Sequence, residues 1–366
     1  MRSRRSLFDW SLRLLRLDGP LLATILVLMG IGLLVLYSAG EHRSDLIVRQ
    51  LFRLGLALSV AIALAQIPPR MLRYWSPFLY LLAILLLVAV LVMGVGRGAQ
   101  RWLDFGFIRF QPSELMKLAL PMTVAWLFHS QRLPPRWWLV LAGLIIIGVP
   151  AMMIGMQPDL GTALLVGGSG MAVIFLAGVR WRYLLAGAGL AAAAAPALWL
   201  VMKDYQRDRI RTFLDPASDP LGQGWNIIQS QIAVGSGGFF GKGWMQGSQS
   251  HLEFLPESHT DFILAVLAEE FGLVGVITIF LLYLIIVGRG LYIASQARDT
   301  YGRLLAGSLS LTFFVYVTVN AGMVSGILPV VGVPLPLISY GGTSAVTLMA
   351  GFGLMMAIHN HRRIWS

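Results

Sequence analysis

Apolar residues gather along this chain in ten long runs, near residues 21–39, 47–67, 76–96, 112–130, 138–156, 161–179, 183–202, 262–288, 304–327 and 342–359, with the polar residues concentrated between them. Roughly 20 helical residues cross a hydrocarbon core of about 30 Å, so each run has about the length of a span. Backbone groups inside a bilayer have no water to bond, which leaves helices as the structure such runs adopt. The pattern predicts an all-α polytopic membrane protein with ten transmembrane helices. The first run, "LLATILVLMGIGLLVLYS", exceeds the apolar core of a signal peptide, about 7 to 15 residues, and no small-residue cleavage site follows; it is expected to stay as an anchor. Upstream, "MRSRRSLFDWSLRLLR" mixes Arg with Leu, Phe and Trp, and both a short helix on the membrane face and a disordered basic tail fit it.

Three connections stand out. The one between runs three and four, "GRGAQRWLDFGFIRFQPSE", is compact, and the one from about 203 to 261, between helices 7 and 8, is the longest polar stretch. The segment "ILPVVGVPLPLISYGGTS" before the last run is apolar but carries Pro329, Pro334 and Pro336. Proline removes backbone donors, so this segment is expected to be a loop dipping into the membrane against other helices.

Composition agrees: 57% of residues are hydrophobic and 12% charged, with a mean hydropathy of +0.74. A soluble chain of this length could not hide so much apolar surface. The net charge is +11. Arg70, Arg73, Arg132, Arg136, Arg180, Arg182, Arg289, Arg298, Arg303, Arg362 and Arg363 fall in alternate connections, on the side of the basic N-terminus. The bias places both termini in the cytoplasm and the odd-numbered connections outside. Scattered in this way the Arg residues report topology and give no support for nucleic-acid binding. Cysteine is absent, which excludes disulfides and thiolate sites. No fixed-period repeat or second domain is evident; residues 1–366 read as one membrane domain, with 1–20 at the inner face and 203–261 forming the large outer loop.

Ionisable residues at the outer ends of the runs are the candidate chemistry, because a desolvated charge persists only where a partner, water or substrate compensates it. In "LPESHTDFILAVLAEEFG", Asp261 heads the eighth run, with Glu257, His259, Glu269 and Glu270 nearby. A straight helix would raise Asp261 about 13 Å above Glu270. A helix cap from Thr260 or Asp261 is the alternative. In "FQPSELMKLA", Glu114 and Lys117 share one helix face; they are either a self-neutralising pair or a cation presented to a phosphate. Asp159 in "MQPDLGTALLVGG" is a cap or a member of the same polar cavity, and the gathering of Asp159, Glu114 and Asp261 on one side favours the cavity.

The large loop supplies Arg207, Arg209 and Arg211, suited to anionic head groups or to snorkelling. Its glycine run "GSGGFFGKGW" fails the P-loop pattern, since Ser236 and Gly243 stand where Gly and Ser or Thr are needed, and a flexible loop carrying Lys242 is expected. The six His are not at metal-ligand spacing. No cofactor is called for, although a divalent cation, Mg²⁺ or Mn²⁺, on carboxylates and substrate phosphates would leave little trace in a sequence.

"GRGAQRWLDFGFIRFQPSELMKLA", "MQPDLGTALLVGG", "RDRIRTFLDPASDPLGQGWNIIQSQIAVGSGGFFGKGW", "LEFLPESHTDFILAVLAEEFG" and "PVVGVPLPLISYGGTS" together resemble the SEDS family (shape, elongation, division and sporulation) over nearly the whole chain and in order. "AQIPPR" and the form of the large loop are closer to its elongation members than to its division members. The resemblance implies a ten-span peptidoglycan glycosyltransferase that polymerises lipid II at the periplasmic face of the bacterial inner membrane. It would work with a class B penicillin-binding protein, a transpeptidase, and other membrane proteins of the elongation complex. By motif, the family's essential aspartate in "HTDF" falls on Asp261, the pair in "QPSExxK" on Glu114 and Lys117, and the aspartate of "QPDLG" on Asp159; Arg101 and Arg209 match basic positions, and Lys242 is a further substrate-binding candidate.

Inverting transfer from a lipid diphosphate needs a base for the acceptor hydroxyl and cations for the leaving diphosphate. Asp261 is the expected base and Lys117, Arg101 and Arg209 the expected cations. Two rivals remain. A lipid II flippase would spread ionisable groups through both membrane halves. A scaffold that only docks a synthase would use its acids as caps.

Overall fold

The computed structural model describes residues 17–40, 43–96, 101–104, 106, 109–202, 204–219, 222–248 and 258–363. The N-terminal stretch 1–16, Lys203 and Glu257 therefore lie outside the described residues. Helices occupy all ten apolar runs: α1 (Gly19–Ala39), α2 (Ser44–Ala65), α3 (Pro69–Met93), α4 (Pro112–Phe128), α5 (Trp137–Met156), α6 (Leu160–Leu176), α7 (Trp181–Val201), α10 (Ile263–Ser295), α11 (Thr300–Val324) and α12 (Gly342–Arg363). Seven of them, α1, α2, α3, α5, α10, α11 and α12, are long and apolar enough to cross a membrane. The chain is thus a mostly helical, polytopic membrane protein.

Two further helices, α8 (Asp204–Leu214) and α9 (Gln223–Ser236), fold within the large loop, joined by a 3-10 turn at Pro216–Ser218. The compact connection before α4 forms a two-stranded hairpin, β1 (Leu103–Asp104) and β2 (Arg109–Phe110), with Leu103 opposite Phe110. Proline at the first turn starts α3 and α4, where its missing N–H has no helical partner to lose.

The helical rise expected between Asp261 and Glu270 forms from Ile263 to Glu270, and the helix breaks only beyond it. Helix α10 begins at Ile263 and is broken at Gly272, whose φ is +63°. The glycine run explains the break. It is a docked segment and not the expected flexible loop: Gly238 O and Phe239 O accept from Leu273 N and Val274 N at 2.9 and 3.1 Å, while Lys242 N and Gly243 N donate to Glu269 O and Glu270 O, both at 3.0 Å. A Cβ on Gly272 would lie 2.3 Å from Gly241 N, so a side chain at this contact would push the run away.

The proline-bearing segment between α11 and α12 does dip into the bundle. Val333, Leu335, Leu337 and Ile338 are buried, and Tyr283 Oη donates to Pro336 O at 2.7 Å. Gly32 of α1 lies against Ile338 and Gly161 of α6 against Val331 O, each too close for a Cβ. Helices α1, α6 and α10 therefore all meet this one segment. At the opposite end, Arg289 donates to both Asp18 carboxylate oxygens at 3.0 and 2.7 Å, and His359 Nε2 lies 3.2 Å from Asp18 Oδ2. This buried cluster bolts together the start of α1 and the ends of α10 and α12.

Candidate functional site

Helix α4 starts at the end of β2, so Glu114 falls in its first turn and Lys117 one turn on. Lys117 Nζ donates to Glu114 Oε1 at 2.6 Å, with the two side chains only 11% and 9% exposed. Below them the ammonium stands 5.3 Å from the centre of the Tyr316 ring on α11.

Asp159 caps α6, accepting from Thr162 N at 3.3 Å. The cap reading is correct and incomplete, because Asp159 Oδ2 also lies 3.7 Å from Arg101 Nε and 3.5 Å from Gln111 Nε2. Arg101 donates in addition to Pro158 O. A single carboxylate thus ties the hairpin region to α6 and to the start of α4.

The N-cap of α10 is Phe262, so Asp261 lies one residue before the helix. The "HTD" backbone is pinned to the proline segment. Tyr340 N donates to His259 O at 2.9 Å and Ser339 Oγ to Thr260 O at 2.5 Å. Asn320 of α11 donates to Asp261 O at 2.8 Å and to Val333 O at 2.7 Å. The Asp261 carboxylate faces Gly332, where a Cβ would sit 3.6 Å from Oδ2. Tyr316 and Asn320 are one helical turn apart, about 6 Å along α11. Helix α11 therefore carries the Lys117 contact on one turn and the Asp261 contact on the next.

A cleft of about 930 Å³ opens beside Glu114. Arg53, Trp102, Asp104, Arg109 and the first residues of α12, Gly342 and Thr343, line it. Arg53 stacks on Tyr340 at 4.4 Å. The Gly106 N–H and then the Arg109 guanidinium hold the Asp104 carboxyl below its usual value. Arg109 is paired with Asp104 at 3.1 Å, which leaves the Arg53 guanidinium and the start of α12 as the groups of the cleft suited to an anion.

Arg209 and Lys242 are not gathered at this cleft. Arg209 lies on α8, which packs against the 3-10 turn and α9. Lys242 Nζ donates to Glu269 Oε1 at 2.6 Å and to Ser248 Oγ at 2.8 Å, neutralising a carboxylate that is fully buried. The residues that sequence reasoning missed are Arg53, Tyr316 and Asn320. The signal for the last two was present, since they recur at i, i+4 in the mostly apolar "FVYVTVN".

Among the described residues no three His, Asp or Glu side chains gather into a metal cage. Glu114 Oε2, buried with no hydrogen-bond partner and bordering the cleft, fits one position of an ion whose other ligands are waters and phosphate oxygens, as Mg²⁺ favours.

The family described as cell cycle protein, FtsW/RodA/SpoVE, matches residues 19–364. The chain belongs to this family. It is 51% identical over 352 residues to the peptidoglycan glycosyltransferase MrdB of Escherichia coli strain K12, covering 96% of this chain and 95% of that one. Among solved structures, a chain of a peptidoglycan synthase complex that coordinates polymerization and crosslinking superimposes with a TM-score of 0.84 at 34% identity, over 94% of this chain and 98% of that one. The rod shape determining protein RodA of Thermus thermophilus does so with a TM-score of 0.72 at 30% identity, over 94% and 97%. This FtsW/RodA/SpoVE chain therefore shares its fold with those two solved structures over 94% of its length.

Proposed function

We propose that this chain is a peptidoglycan glycosyltransferase that polymerises lipid II at the periplasmic face of the bacterial inner membrane during cell elongation. All ten long helices span, both termini lie in the cytoplasm, and residues 203–261 form the large periplasmic loop of a single membrane domain. The observations that support the reading are two ion pairs, Glu114–Lys117 and Asp159–Arg101, the tie from Asn320 to the Asp261 backbone, and the position of Glu114 on the edge of a large cleft.

In the reaction the acceptor 4-hydroxyl attacks the anomeric carbon of a lipid-linked sugar, the bond from that carbon to the diphosphate oxygen breaks, and the configuration inverts. Asp261 takes the hydroxyl proton, and the position of its carboxylate facing Gly332 of the proline segment supports that role. Lys117 and Arg101 offset the charge of the departing diphosphate. Glu114 and Asp159 hold those cations by the contacts above. Arg209 and Lys242 reach substrate only through its outer, loop-facing part. A divalent cation, when bound, would neutralise further diphosphate charge at Glu114. The product strand passes to a class B penicillin-binding protein, a transpeptidase that crosslinks it, within a complex of elongation proteins.

The test is polymerisation of labelled lipid II by the purified chain and by its Asp261→Ala and Asp261→Asn variants. Base catalysis contributes about 10²- to 10⁴-fold, so both variants should lose at least 10²-fold in turnover with unfolding midpoints preserved. Wild-type rates from both would remove Asp261 from the mechanism.

A further inference from the structure

Below the Glu114–Lys117 pair, where α4, α11 and α12 meet, lies a second cavity of about 30 Å³. That is room for a water molecule. Its polar lining is Glu114, Lys117, Thr312, Tyr316, Ser344 and Thr347. Two oxygens there, Glu114 Oε2 and Thr312 Oγ1, are buried without a partner in hydrogen-bond geometry, and the Tyr316 hydroxyl interacts with the Lys117 ammonium. An ammonium carries three N–H donors, and the bond to Glu114 Oε1 uses one of them.

We propose that Tyr316 is a positioning residue for Lys117, and that this cavity binds one ordered water, held by Thr312, which completes the hydrogen bonding of the ammonium. Buried donors and acceptors left unmade are penalised, and a buried water making about three hydrogen bonds satisfies several at once. Tyr316 suits the task because it is itself immobile: it is 3% exposed and packed against Leu165 and Val333. Its ring face supports the cation from below while its hydroxyl reaches the water. Lysine has a flexible stem, and a displacement of about 1 Å at a reacting centre can cost as much as 10²-fold in rate. Fixing the ammonium from beneath therefore keeps it aimed at the leaving diphosphate. The inference rests on reading the cleft above as the site of glycosyl transfer.

The experiment compares Tyr316→Phe, which keeps the ring and removes the hydroxyl, with Thr312→Val, which keeps the shape and removes the oxygen. Using the full chain and lipid II, each should lower kcat roughly 10- to 100-fold, leave KM within about two-fold and leave the unfolding midpoint unchanged. Thr312→Ser should restore kcat, and the double variant should be no slower than the slower single, since both act through one ammonium. A map of the wild-type chain at a resolution that shows waters should hold one peak within hydrogen-bond distance of Thr312 Oγ1. Wild-type kcat in both variants, or losses that track the unfolding midpoint without rescue by Ser, would overturn the positioning role. An empty cavity in the map would overturn the water site, and it would do so even if the wild type formed no polymer, so the two readings fail separately.

Discussion

Removing one partner of a buried ion pair strands the other in surroundings that cannot solvate it, at about 3–5 kcal/mol. Glu114 and Lys117 are such a pair, so Lys117→Met and Glu114→Gln should each lower the unfolding midpoint, and the double variant should recover part of the loss. Thermal unfolding in detergent checks this; additive losses would show that the two side chains are not coupled. Asp18 offers a pH test at the other end of the bundle. Burial raises its carboxyl, but hydrogen bonds from Arg289 and the Leu21 N–H outweigh burial and hold it below the usual value. A lowered folded-state pKa gives stability that is fully present above the unfolded value of about 3.9 and is lost as pH falls through the lower folded value. The difference in unfolding midpoint between wild type and Asp18→Asn should be present at about pH 5, with His359 protonated beside the carboxylate, and shrink below about pH 4. A difference that grew from about pH 5 downward would reverse the sign assigned here.

Between helices, close packing is set by residues that lack a side chain. A Cβ at Gly161 on α6 would lie 2.6 Å from Val331 O, whereas one at Gly168 on the same helix would meet nothing within 4 Å. Gly168→Ala should therefore be neutral or stabilise by up to about 1 kcal/mol through helix propensity. Gly161→Ala should lower both the unfolding midpoint and turnover, because it pushes α6, and Asp159 at its cap, away from the proline segment. Equal effects of the two substitutions on melting and lipid II polymerisation would refute that contact. The same elements show how far the sequence could be read. Apolar runs located the ten long helices, because burial and backbone satisfaction act on the chain locally. The helices α8 and α9 were not foreseen, since a polar loop shows no apolar run of span length. Nor was the docking of Gly237–Gly243 on α10, because its partners, Glu269 to Val274, are separated from it by chain whose contacts depend on the tertiary fold.

Across the whole molecule, the candidate site was legible as charges on one side of the membrane, while its geometry was not. Asp261 and Lys117 are related through Asn320 and Tyr316, and two polar residues in an apolar helix cannot be assigned partners from spacing alone. Charge at the opposite end closes on itself around Asp18, an arrangement that suits a bolt better than a conduction path for a charged head group. The site lies outside only if every long helix crosses, and the topology can be counted. The chain has no Cys, so single cysteines introduced at exposed positions report sidedness without background. Arg70 lies at the start of α3, Ser218 between α8 and α9, and Arg298 between α10 and α11. If all ten helices span, five crossings, α3 to α7, separate Arg70 from Ser218, which puts them on opposite sides. If only the seven long apolar helices span, α3 and α5 separate them and they share a side. In both cases α10 alone separates Ser218 from Arg298. In intact spheroplasts, a membrane-impermeant maleimide should therefore label Ser218→Cys, and should reach Arg70→Cys and Arg298→Cys only after lysis. Labelling of Arg70→Cys together with Ser218→Cys would reduce the number of crossings and move the cleft off the periplasmic face.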